Sequence, residues 1–182
     1  MRLLFYFIIS ILLILSQFNL SALQYIKKGE ALKMLLPADQ KLYKEKIKIT
    51  KDQAAYLNDE YNGDYIKGEK FIIYFSRNED GDITDYAVLM TEIIYEYSAY
   101  HIFAIGFNGD KSVKEVIIVE LTDEVVYIMN NELFLDQFKD SRPEELELSE
   151  NIDAVTGATE SSELLILSIK KARYLIDLLE VK

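Results

Sequence analysis

Apolar and polar positions follow three different rhythms along this chain. From Leu3 to Leu15 the apolar run is almost unbroken, behind the short basic start Met1-Arg2. Ser16-Gln17 breaks it, and small residues follow at Ser21-Ala22. This is the layout of a secretory signal peptide, and the run is short for a membrane-spanning helix. A cut after Ala22 leaves Leu20, which is not small, three residues before the cleavage point, so an uncleaved N-terminal anchor is the alternative. Both readings place the bulk of the chain outside the cytoplasm.

The second rhythm is helical. Lys27 to Leu36 reads as a short helix stopped by Pro37. Thr50-Lys51-Asp52-Gln53 has the form of a capping box, opening a helix that should end near Asn62-Gly63. Residues 23–65 are therefore expected to be a mostly helical lead-in.

The period then drops to that of strands. Phe71 to Phe75 and Ile83 to Met90 are β-rich runs separated by Asn78-Glu79-Asp80-Gly81-Asp82, which predicts a hairpin. Tyr100 to Phe107 and Val113 to Leu121 flank Asn108-Gly109-Asp110, a stronger hairpin signal because Asn-Gly suits a tight turn. Val125 to Met129 reads as a further short strand. Asn130 to Phe138 reads as a helix with Leu133, Phe134 and Phe138 on one face, and Lys139 to Ile152 as a charged loop. The last helix, about Glu160 to Leu179, carries the stripe Leu165, Ile169, Ala172, Ile176 and Leu179, with Lys170, Lys171 and Arg173 toward the end where cations suit the helix dipole.

This order predicts an α+β fold: an antiparallel sheet built from hairpins, flanking helices and a long C-terminal helix, with the sheet covered on one face. Residues 1–22 are the signal peptide or anchor, 23–95 the lead-in and first hairpin, and 96–182 the remainder of the same domain.

Composition narrows the function. The 182 residues are half hydrophobic and include 13 Tyr and 9 Phe, enough for one domain with a sizeable core. There is no cysteine, which excludes a lipoprotein anchor, disulfides, thiolate metal sites and cysteine nucleophiles. The formal net charge of −11, or −12 once Arg2 leaves with the leader, describes a surface that repels nucleic acid and anionic membranes. A soluble exterior is sufficient reason for that charge.

The chemistry gathers in Asp153-Ala154-Val155-Thr156-Gly157-Ala158-Thr159-Glu160-Ser161-Ser162. Gly157 permits a left-handed turn, and Thr159 or Ser161 can cap the helix that follows. A structural loop needs only one capping hydroxyl, whereas four hydroxyl residues cluster here around Gly-Ala. A helix N-terminus also favours a phosphate, through its unpaired N–H groups and its dipole.

This segment resembles the attachment signature of the FMN-binding domain family, Asp-x-x-(Ser/Thr)-Gly-Ala-Thr, at every fixed position. Pro37-Ala38-Asp39 and Phe134-Leu135-Asp136-Gln137-Phe138 are similar to free-standing exported members. The family also supplies the flavin-carrying subunits of the sodium-pumping NADH:quinone reductase and Rnf complexes. The resemblance implies that 96–182 is the FMN-binding domain and that Thr159 carries FMN as a phosphoester. It implies Asp153, Thr156, Gly157 and Ala158 as the recognition motif, with Ser161 and Ser162 continuing the pattern. It implies an FAD:protein FMN transferase as the modifying enzyme and a membrane or exported redox partner, in a carrier rather than a stand-alone enzyme. Two places depart from the family: Glu160 stands where an apolar residue is commoner, and Thr122-Asp123-Glu124-Val125-Val126 lacks a glycine expected near the flavin. The alternatives are a flavin-free exported binding domain that kept the fold, and a flavin-dependent reductase of a small acceptor.

Other candidates have simpler accounts. His101, the only histidine, sits in a β-rich run and reads as structural or surface. Asn78–Asp82 lacks the spacing and closing Glu of an EF-hand and reads as a polar turn. Tyr95, Tyr97, Tyr100 and Phe103 could stack on a flavin ring, but packing is their default role. No catalytic residue or metal ligand is assigned.

Overall fold

The structure, a computed structural model, describes residues 23–61, 63–94, 99–122 and 128–180. The leader at 1–22 and most of the strand expected at 125–129 lie outside the described residues.

The fold is α+β. Strands β1 (Leu23–Gln24), β2 (Lys41–Lys48), β3 (Lys70–Arg77), β4 (Ile83–Ile94), β5 (Ala99–Asn108) and β6 (Val113–Leu121) form one antiparallel sheet in the order β1-β6-β5-β4-β3-β2. Helices α1 (Lys28–Leu35), α2 (Lys51–Tyr61), the single turn α3 (Glu132–Leu135) and α4 (Thr159–Glu180) pack around it.

The expected hairpins are present, with informative turns. In the β5–β6 turn the Lys111 N–H bonds to the Asn108 carbonyl at 2.9 Å, and it is Lys111, at φ 69°, that adopts the left-handed conformation. Gly109 serves close approach instead, since a Cβ there would lie 2.7 Å from the Ile83 carbonyl oxygen. The capping box also forms: the Thr50 N–H donates to Gln53 Oε1 at 2.8 Å and the Gln53 N–H to Thr50 Oγ1 at 3.2 Å.

Two expectations change. Residues 41–48, inside the region expected to be helical, form the edge strand β2, paired with β3 along its whole length. The sheet is also covered on part of its second face, rather than on one face alone. On the main face, Phe103, Ile105 and Phe107 of β5 meet Leu165, Ile169, Ala172 and Ile176 of α4 in one core with α2. On the other, Ile102, Ala104 and Val119 meet Ala31 and Leu35 of α1. Strand alternation divides β5 between the two cores.

Within α4 the expected apolar stripe is buried from Leu165 to Ile176 and half-buried at Leu179, but the cations do not all serve the helix end. Lys171 is buried on the sheet side, 2.5 Å from Glu92 Oε2, with Ser168 Oγ 2.8 Å from Glu92 Oε1. Its ammonium also lies 5.6 Å from the centre of the Tyr65 ring. Burial, and then the Glu92 charge, push the Tyr65 phenol well above its ordinary value.

Candidate functional site

The loop 153–158 and the first turns of α4 sit at one end of the sheet. Register defines that end: Leu23 pairs with Leu121, Leu121 with His101, and His101 with Glu92. His101 is fully buried beneath α4, and its Nε2 lies 3.3 Å from Ser161 Oγ. Its Nδ1 lies 3.0 Å from the Tyr100 carbonyl, which can only accept, so Nδ1 holds the proton. In the neutral ring, Nε2 then accepts from the Ser161 hydroxyl. The lone histidine is a strut under the motif.

The loop folds on local hydrogen bonds. The Ala158 N–H bonds to the Val155 carbonyl at 2.9 Å, closing a turn in which Gly157 takes φ +84°. No heavy atom comes nearer than 4.0 Å to a Cβ built on Gly157, so the requirement for glycine there is conformational rather than steric. The Ser162 N–H bonds to the Ala158 carbonyl at 2.9 Å, making Ala158 the residue that opens the helix. Alanine offers no capping oxygen. By helix geometry, the N–H groups of Thr159, Glu160 and Ser161 therefore lack intrahelical acceptors.

The motif divides cleanly by exposure. Asp153, Thr156, Gly157, Thr159 and Glu160 are exposed, while Ala158, Ser161 and Ser162 are buried. Ser161 turns inward to His101, and Ser162 Oγ donates to the Ala158 carbonyl at 2.8 Å. Neither serine caps the helix from outside, and the exposed hydroxyls at the helix start are Thr156 and Thr159.

One positioning residue had no chemical signal of its own in the sequence. Gln137 accepts the Asp153 N–H at 2.8 Å and donates to the Asp153 carbonyl at 3.3 Å, holding the loop's first residue. Gln137 belongs to the 3-10 turn Asp136–Phe138 that continues α3, whose start is capped by Asn131 accepting the Phe134 N–H at 3.0 Å. Phe134 and Phe138 anchor this segment in the core, but Leu133, expected on the same buried face, is 87% exposed. The helix is one turn long before tightening to 3-10 geometry, so the spacing assumed for a continuous α-helix does not hold.

The aromatic candidates separate as well. Phe103 is core, and Tyr100 is half-buried on the α1 face with its hydroxyl bonded to Glu120. Tyr95 and Tyr97 lie outside the described residues. Of the departing segment, only Thr122 is described. It is buried, and its Oγ1 accepts the Tyr100 N–H at 2.6 Å and lies 2.8 Å from the Tyr100 carbonyl.

Among the described residues, open clefts also lie away from this loop. One of about 420 Å³ is lined by Tyr56, Tyr61, Tyr174 and charged residues of α4. The other, about 300 Å³, lies between the start of β3 and the end of β4. Neither includes a residue of 153–162. Comparison with protein-family models and with curated proteins finds no match to this chain.

Proposed function

We propose that this chain is an exported flavoprotein that carries FMN as a phosphoester on Thr159 and relays electrons outside the cytoplasm. The observation that carries the reading is the placing of Thr159. Its hydroxyl is exposed at the first position of a 22-residue helix, behind a left-handed glycine and beside backbone N–H groups without helical partners. The resemblance of Asp153–Ser162 to the attachment signature supplies the cofactor's identity.

The residues present fit a phosphodiester. The helix N-terminus offsets its remaining negative charge, and the exposed Glu160 side chain is free to turn toward solvent. In the attachment step, the Thr159 oxygen forms a bond to the FMN phosphorus of FAD as the phosphoanhydride breaks. AMP leaves, and the hydroxyl proton passes to a base of the transferase. Once bound, the flavin supplies the redox chemistry. Asp153, Thr156 and Gly157 present the exposed surface a transferase must read; Ala158, Ser161 and Ser162 fix the helix start from within. The role is that of a carrier between redox partners, one of them in the membrane or exported.

The test is co-expression with an FMN transferase, followed by denaturing electrophoresis and in-gel fluorescence. A fluorescent band lost in Thr159→Ala supports the reading. A dark wild-type band under conditions that flavinylate a control protein overturns it. That second result would favour a flavin-free exported binding domain that kept the fold.

A further inference from the structure

The α1 side of the sheet is only half covered. Helix α1 lies over β4, β5 and β6, and its core reaches Tyr74 of β3 and Leu89 of β4, leaving β2, the start of β3 and the end of β4 open. Alternation places Leu42, Lys44, Lys46 and Lys48 of β2 on that open face, with Lys70 and Ile72 of β3 and Thr91 and Ile93 of β4. Four of these positions are lysine and none is acidic, in a chain with 31 Asp and Glu against 20 Lys and Arg. All four lysines are exposed. Beside them, Ile93 is 56% and Ile72 40% exposed.

We infer that this half-sheet face is a docking surface for an anionic phospholipid bilayer. Three observations favour that occupant. The face carries cations together with exposed branched aliphatic side chains, the combination that engages headgroup phosphates and the acyl boundary at once. Protecting an edge strand would explain lysines on β2, but not Ile72 and Ile93 bare on β3 and β4. A second copy of the chain would set the same lysines against each other, so charge opposes a face-to-face dimer.

The third observation is where the chain enters the fold. The apolar run Leu3–Leu15 precedes β1, and Leu23 pairs with Leu121 at the end of the sheet that also holds Lys48, Lys70 and Ile93. An uncleaved leader would therefore reach the membrane at the same end of the sheet as that face, although from the opposite edge strand, β1. Glu69 lines the same cleft as Lys70 and Ile72 but is outnumbered by the four lysines, and carboxylates farther away than about 8 Å are largely screened at physiological salt. Thr159 lies at this same end, through the contact between Ser161 and His101. The inference rests on the exported reading but not on flavin attachment.

The test uses the full chain without any transferase, so its failure and that of flavinylation are separable. The protein has no cysteine, and Ile72→Cys, Ile93→Cys and the α4 surface variant Glu163→Cys each take a single bimane label. The labelled chains are reconstituted into nanodiscs containing spin-labelled lipid, with either phosphatidylglycerol or phosphatidylcholine as the bulk component. Labels at 72 and 93 should be quenched strongly in the anionic discs and weakly in the neutral ones, and the label at 163 in neither. Lys44→Glu, Lys48→Glu and Lys70→Glu together should bring the anionic signal down to the neutral level. Quenching at 72 and 93 no greater than at 163, or equal in both lipids, overturns the inference. If an acidic protein or a second copy is the true occupant, that is the pattern to be seen.

Discussion

One side chain, Gln137, grips both backbone polar groups of Asp153, accepting its N–H at 2.8 Å and donating to its carbonyl at 3.3 Å. This clasp ties the α3 turn to the start of the loop that leads to Thr159. Replacing Gln137 by Ala removes two hydrogen bonds, each worth about 0.5–1.5 kcal/mol net. Because Asp153 is exposed, water takes over the released groups and the loss stays local. Amide exchange at Asp153 should accelerate in Gln137→Ala while the sheet strands keep wild-type protection. Unchanged exchange at Asp153 would show that the loop does not depend on the clasp.

Gly157 sets the turn before the helix by holding φ +84° in open space. An alanine there meets no steric block, so its cost is that of a left-handed conformation, about 1–2 kcal/mol. Chemical denaturation should show Gly157→Ala destabilised by that amount, and Gly157→Asn by less, since asparagine visits this region more readily. Equal losses for the two would point to a different cause.

Much of the fold was legible because local signals agreed with tertiary demands. The capping box at Thr50, the two hairpins and the α4 stripe each follow from one rhythm that the final packing also uses. Strand β2 was not legible. Only Ile47 of its eight residues is buried, and Glu45, on the same side, is exposed, so no alternation marks it; its pairing with β3 makes it a strand. At the site, the exposed Thr159 at a helix start was readable from Gly157-Ala158-Thr159. The supports were not, because the bond between His101 and Ser161 spans 60 positions and that between Gln137 and Asp153 spans 16. Lys171 misled for a similar reason: its partner Glu92 is 79 residues away, so helical position alone suggested a cation serving the helix dipole.

The pair of Lys171 and Glu92 is buried on both sides. Removing one member strands the other's charge in the core, which costs about 3–5 kcal/mol. Lys171→Met and Glu92→Leu should each destabilise the protein by that order. The double variant should recover most of the loss, because two apolar groups of similar size leave no charge behind. A double-mutant cycle by urea unfolding measures this, and additive losses would refute it.

Asp177 joins the far end of α4 to the β5–β6 turn, accepting from Lys111 Nζ at 2.7 Å and pairing with Arg173. Burial pushes its carboxyl up, but the hydrogen bonds and charges of Arg173 and Lys111 outweigh that and hold it below the ordinary value. The unfolded chain then takes up a proton near pH 4, while folded Asp177 stays ionised to lower pH. The stabilisation is therefore fully present above the ordinary carboxyl range and is lost as pH falls through the depressed value. Its size is modest, because the side chain is 45% exposed and water and salt screen the pair. Asp177→Asn should be less stable than wild type at pH 7, with the gap closing as pH drops below about 4. Thermal melts of both proteins from pH 7 to pH 2.5 check it, the difference between the two curves isolating this one linkage. A gap that stayed constant across that range would show that the carboxylate's charge contributes nothing.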